Sequence, residues 1–265
     1  MEEALNEQPR GFVIEFAGLP GSGKSTLAHA LAARLRQGHE LVSEPTYELN
    51  HRSRRWHRVT TKTLCILQCV LTNPHGSLEA VLSVARTGQR SWRDLLNTTL
   101  NMLYICGLRR AVAKRPGTHV LDQGVLQQIW SIRFSASRSV PVAGFGRLGR
   151  ACFGGGSGGA VVFVDVKPET VMERLSVRSG QASRLERRLS RETHQVELAA
   201  AEGALAEARG AVSTLIGADS GIRIETVSNE DSEDFETTAE ELARRVRGWS
   251  GAKRSAESAG GENGS

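Results

Sequence analysis

Apolar residues in this chain fall into two kinds of segment. Short solid runs stand at 12–17 (FVIEFA), 118–122 (THVLD), 160–166 (AVVFVDV) and 222–227 (IRIETV), with a shorter one at 40–43 stopped by Pro45. Their length and β-branched content predict buried strands. Between them, apolar positions return every three or four residues. Leu27, Leu31 and Leu35 form such a stripe, with alanines between them. That spacing predicts a helix beginning inside the glycine-rich turn after the first strand. Residues 50–115 read as helical throughout, broken at Pro74-His75-Gly76. Helices are also predicted at 124–134, from Pro168 to about Arg178, at 192–209 and at 237–249. Eight glycines crowd residues 144–159, which reads as a mobile connection. The last residues, 250–265, are rich in Gly, Ser and Glu and read as a disordered tail.

Strands alternating with helices predict an α/β fold with a parallel sheet covered on both faces. The chain has 265 residues, which suits one domain over 11–249 after a flexible start at 1–10. Ligands of such sheets bind at the carboxyl ends of the strands. The net charge of +5 suits a handler of phosphates but falls short of a nucleic-acid binder's basic patch. The four cysteines form no CxxC pair and have no histidines at metal-ligand spacing. Cys65 and Cys69 share one helix face and read as core. The polar, acidic start is unlike a signal peptide, and no apolar run approaches a membrane span. The expectation is a soluble, cytoplasmic protein without a membrane partner.

The sharpest chemistry lies at 18–26. Gly18-Leu19-Pro20-Gly21-Ser22-Gly23-Lys24-Ser25 fits G-x-x-x-x-G-K-[ST], and Thr26 follows. A strand precedes it and a helix follows, as a phosphate-binding loop requires. Glycines let successive backbone N–H groups turn onto a phosphate, and the helix N-terminus adds positive potential. Lys24 is expected to bridge the β- and γ-phosphates of ATP, and Ser25 to hold Mg²⁺. The 118–122 strand ends in the single acid Asp122, a second candidate for the Mg²⁺ shell. No second acid follows to polarise water, which favours phosphoryl transfer over hydrolysis. No guanine-reading Asn-Lys-x-Asp occurs.

These segments, in this order, resemble the P-loop kinase group that includes thymidylate kinases and nucleoside kinases. The resemblance rests on GLPGSGKST, on Ser43-Glu44-Pro45, on Asp122, and on Val164 to Glu169 followed by Arg174, Arg178, Arg184 and Glu186. Val227-Ser228-Asn229 stands where such kinases cradle adenine. The resemblance implies a three-layer P-loop fold with a five-stranded parallel sheet, a helical acceptor region over about 50–115 and a mobile lid over about 176–191. It implies Arg178 and Arg184 as lid arginines, with Arg174, Arg187 and Arg188 as further candidates. It implies Glu44 as a base toward an acceptor hydroxyl, and a possible homodimer. Gln123 stands where these kinases carry an arginine that grips the acceptor's phosphate. The cluster HRSRRWHR at 51–58 is either a basic solvated surface or an anion site with Trp56 stacking on a base.

The expected function is therefore an ATP-dependent phosphotransferase with a small-molecule acceptor: a nucleotide, a nucleoside or another metabolite. The alternative is an ATP-binding switch or ATPase module without that chemistry.

Overall fold

The computed structural model describes residues 11–138, 142–154, 158–177, 194–216, 221–230 and 235–261. Five strands form one parallel sheet: β1 (Phe12–Gly18), β2 (Val42–Ser43), β3 (Thr118–Leu121), β4 (Gly159–Asp165) and β5 (Ile222–Ser228), in the order β2-β3-β1-β4-β5. The helices are α1 (Lys24–Gln37), α2 (Pro45–Tyr47), α3 (Arg55–Thr72), α4 (Pro74–Arg86), α5 (Trp92–Ala113), α6 (Val125–Ser135), α7 (Gly146–Phe153), α8 (Pro168–Ser176), α9 (His194–Gly210), α10 (Val212–Ile216) and α11 (Phe235–Gly261). A π-helical turn, Glu48–Arg52, links α2 toward α3.

Because β1 is central, side chains alternate between two cores. Phe12, Ile14 and Phe16 point to one face and join α1 and α11 through Leu27, Leu31, Leu35, Leu242 and Val246. Val13 and Ala17 point to the other, which α5, α6, α7 and α9 cover. Glu15 stands in that second row and is fully buried. Its carboxylate lies 2.5 Å from the guanidinium of Arg109 on α5, itself fully buried. Burial pushes the Glu15 carboxyl above the usual range, and the Arg109 charge pulls it part of the way back.

The layers and the five parallel strands match the expected fold. Two local expectations do not hold. Most of the glycine-rich 144–159 stretch is structured: a 3-10 turn, Val142–Phe145, leads into α7. Phe145, Leu148 and Cys152, spaced three or four apart, are buried with Phe153 beside them, and this apolar face outweighs the local cost of glycine. The last helix, α11, is described to Gly261. The second strand is two residues long, and Leu41 before it is exposed.

Candidate active site

The loop between β1 and α1 turns at Gly21 and Gly23, whose φ angles are 88° and 79°. Side chains rarely adopt that conformation. A Cβ on Gly23 would also lie 2.3 Å from Asn229 Nδ2. Asn229 is buried after β5 and donates to the Ser22 carbonyl at 2.7 Å, so the end of the sheet braces the loop. On the other side the Gly18 N–H donates to Gln127 Oε1 of α6 at 3.0 Å. Lys24 opens α1, lines the cleft beneath the loop and donates to the Leu19 carbonyl at 3.1 Å.

Ser25 and Asp122, named separately from sequence as Mg²⁺ candidates, meet here: the Ser25 hydroxyl donates to Asp122 Oδ2 at 3.1 Å. A hydroxyl and one carboxylate, with phosphate oxygens and water to complete the shell, are the hard oxygen donors that Mg²⁺ takes. No group of three or more His, Cys, Asp or Glu side chains suited to a metal occurs among the described residues. The residues present therefore fit a Mg²⁺ that arrives with a nucleotide.

Asp122 is set by the Glu15–Arg109 pair. Glu15 Oε2 accepts from the Val125 N–H at 2.9 Å, at the start of α6. Gly124 lies so close that a Cβ there would be 2.2 Å from the same oxygen. Asp122, Gln123 and Gly124 are thus hung from a buried carboxylate on β1, the strand that feeds the phosphate loop.

Beneath the loop opens a cleft of about 900 Å³. Around the loop its lining includes Pro20, Gly21, Gly23 to Thr26, Gln127, Arg174 and Asn229. Helix side chains line the rest, among them Asn50, Lys62, Asn101, Tyr104 and Gln128. Lys62 sits with its ammonium 5.2 Å from the centre of the Tyr104 ring. Burial, then the nearby Arg58 charge, lowers the Lys62 pKa. The buried Tyr104 hydroxyl has no hydrogen-bond partner among the described residues, and burial first pushes its pKa above the usual phenol range. Asp122 is the one carboxylate among the described residues lining the cleft.

The other sequence candidates are distributed unevenly. Leu19 and Ser22 are buried within the loop. Glu44 is buried at the N-terminus of α2, but it does not line the cleft. Its carboxylate meets His29 Nδ1 at 2.9 Å and Arg36 at 2.8 Å, both on α1. Arg174 lines the cleft and donates to the Glu230 carbonyl at 2.9 Å. Arg178, Arg184, Arg187 and Arg188, and the lid they were assigned to beyond Val177, lie outside the described residues. Trp56 is 83% exposed and does not line the cleft. Sequence reading did not single out Lys62, Asn101, Tyr104, Gln127 or Gln128. The signal for the last two was present: a pair of amides inside the otherwise apolar VLQQIW.

No protein-family model matches the chain, and no curated protein matches it. Among solved structures the chain is similar to a thymidylate kinase from Candida albicans, at TM-score 0.49 and 16% identity, covering 91% of this chain and 94% of that one. It is also similar to EHV4-TK in complex with TP4A, at TM-score 0.36 and 12% identity, covering 92% and 98%. At such values the functional reading rests on this chain's own residues.

Proposed function

We propose that the chain is an ATP-dependent phosphotransferase that moves the γ-phosphoryl group to a small-molecule acceptor. The observation that carries this reading is the composition of one cleft. Lys24, Ser25 and Asp122 line it together with polar side chains of three helices, Lys62, Asn101, Tyr104 and Gln128. A polar wall of this kind, set beside the metal and phosphate residues, can orient a second small molecule.

Mg·ATP bound on the loop would supply the phosphoryl group. The loop amides and Lys24 neutralise charge on the β- and γ-phosphates, and Ser25 with Asp122 holds the metal shell. The polar wall orients the acceptor for in-line attack, so catalysis is mainly positioning. With Glu44 engaged by His29 and Arg36, the cleft offers Asp122 alone as a carboxylate base. That favours an acceptor oxygen already ionised, such as a phosphate whose second pKa is about 6. Lys62 is the cation at hand to receive it. A cytoplasmic setting, and a lid carrying Arg178 and Arg184, belong to this reading as well.

The test is ADP release measured with and without a panel of nucleosides, nucleoside monophosphates and phosphorylatable metabolites. Acceptor-dependent ADP supports the transferase. Slow release indifferent to every acceptor supports the switch or ATPase instead.

A further inference from the structure

Two consecutive residues after β5 tie three parts of the molecule together. The Asn229 N–H donates to the Asp165 carbonyl at the end of β4 at 3.1 Å, and its side-chain amide donates to the Ser22 carbonyl of the loop at 2.7 Å. Glu230 then holds α8 with both its side chain and its backbone. Oε1 accepts from the Lys167 N–H at 2.7 Å, and Oε2 accepts from the Thr170 hydroxyl at 3.1 Å. The Glu230 carbonyl accepts from Arg174 Nη2 at 2.9 Å. Positions 167, 170 and 174 lie along one side of the helix.

The start of α8 lacks a cap of its own. Its N-cap residue, Lys167, makes no side-chain cap bond, and Pro168 follows at the first helical position. Thr170 stands three residues after the N-cap, where a capping box would place Glu or Gln to bond the N-cap N–H. Glu230 supplies that carboxylate from outside the helix. Its negative charge also suits the positive end of the helix dipole.

The consequence falls on Arg174, which lines the cleft. With Nη2 held by the Glu230 carbonyl, Nη1 lies 3.8 Å from where a Cβ on Gly23 would stand. Nη1 is shielded from solvent and has no hydrogen-bond partner among the described residues. A buried guanidinium N–H left unpaired is costly, and a phosphate oxygen is the acceptor that suits it best. Gly23 stands at the N-terminus of α1, the end of a helix that favours an anion.

We propose that Glu230 is a positioning residue for the nucleotide: it fixes α8 so that Arg174 meets the phosphates held on the loop. The proposal rests on the phosphotransfer reading only in taking the loop as the nucleotide site. Glu230 acts through Arg174, because both of its carboxylate oxygens are committed to α8.

Calorimetric titration of Mg·ATP into the full chain tests this through a double-mutant cycle. Glu230→Ala and Arg174→Met should each weaken ATP binding about 10–100-fold, the value of a charge-assisted hydrogen bond. The double variant should bind no more weakly than Arg174→Met alone. Glu230→Gln should stay within about fivefold of the wild type, since its oxygen can accept from Lys167 and its amide can donate to Thr170. Losses that add in the double variant would make Glu230 a general support of the fold and overturn the proposal. So would wild-type affinity in Glu230→Ala, or a glutamine variant as weak as the alanine one. Those outcomes leave the phosphotransfer reading standing, whereas a wild-type chain that binds no ATP removes both.

Discussion

Two parts of the cleft are built from different material. The loop end is backbone: a glycine loop that turns at Gly21 and Gly23 and is braced by Asn229 and Gln127. The helix-lined part is side chain: Lys62 from α3, Asn101 and Tyr104 from α5, Gln128 from α6. A backbone site needs a fixed order of residue types within a few positions, because φ angles and N–H directions are local. A side-chain site needs only that three helices pack at a particular angle, and its residues can lie anywhere along them. The first is rigid in chemistry and open to many donors of one kind. The second is where specificity is set.

Four substitutions separate the two parts. Lys24→Ala removes the cation bridging the transferring phosphate. Turnover should fall about 10²–10³-fold or more, by analogy with the loss of one charge-stabilising donor, read as acceptor-dependent ADP release. Near-normal turnover would remove the loop-end assignment.

Glu15→Ala leaves Arg109 charged, buried and unpaired, and should destabilise the fold by about 3–5 kcal/mol in urea melts. Replacing both with methionine should restore most of that loss, because a packed apolar pair avoids burying charge. A single variant as stable as wild type would mean that the pair does not hold the Asp122 loop.

Asp122→Asn weakens the metal shell without touching the acceptor wall. The Mg²⁺ needed for half-maximal rate should rise about 10–100-fold, with acceptor affinity little changed. A change in acceptor affinity alone would move Asp122 to the acceptor wall.

Lys62→Met should do the reverse. The KM for an anionic acceptor should rise about 10–100-fold, the value of a charge-assisted hydrogen bond, while ATP affinity stays within twofold. Its lowered pKa also gives a sign: acceptor affinity should decline on the alkaline side at a pH below the ~10.4 of an ordinary lysine. Equal losses for neutral and anionic acceptors would contradict a charge role.

This division also explains what was legible in the sequence. The phosphate-loop motif and the strands follow from short contiguous patterns, whereas Ser25 and Asp122, each named from its own pattern, meet across 97 positions only in the fold. The 144–159 stretch was misread because glycine content is a local signal and the burial of Phe145, Leu148 and Phe153 is a tertiary one. Glu44 was named as a base by the family resemblance. In the structure His29 and Arg36 of α1 stand within reach and hold its carboxylate. Lys62 and Tyr104 lie 42 positions apart and meet only because α3 packs on α5. No spacing rule could have paired them. Glu15 was visible as an acid inside an apolar strand, FVIEFA, and its partner Arg109 needed the fold.

The most direct measurement follows the phosphorus. The wild-type chain is incubated with ATP labelled at the γ-phosphate, Mg²⁺ and a panel of nucleosides and nucleoside monophosphates, and the labelled products are separated. Label should appear in an organic acceptor, fastest in one that carries its own phosphate, and should vanish with Lys24→Ala. Label found only in inorganic phosphate, at a rate that no acceptor alters, would contradict a two-substrate cleft.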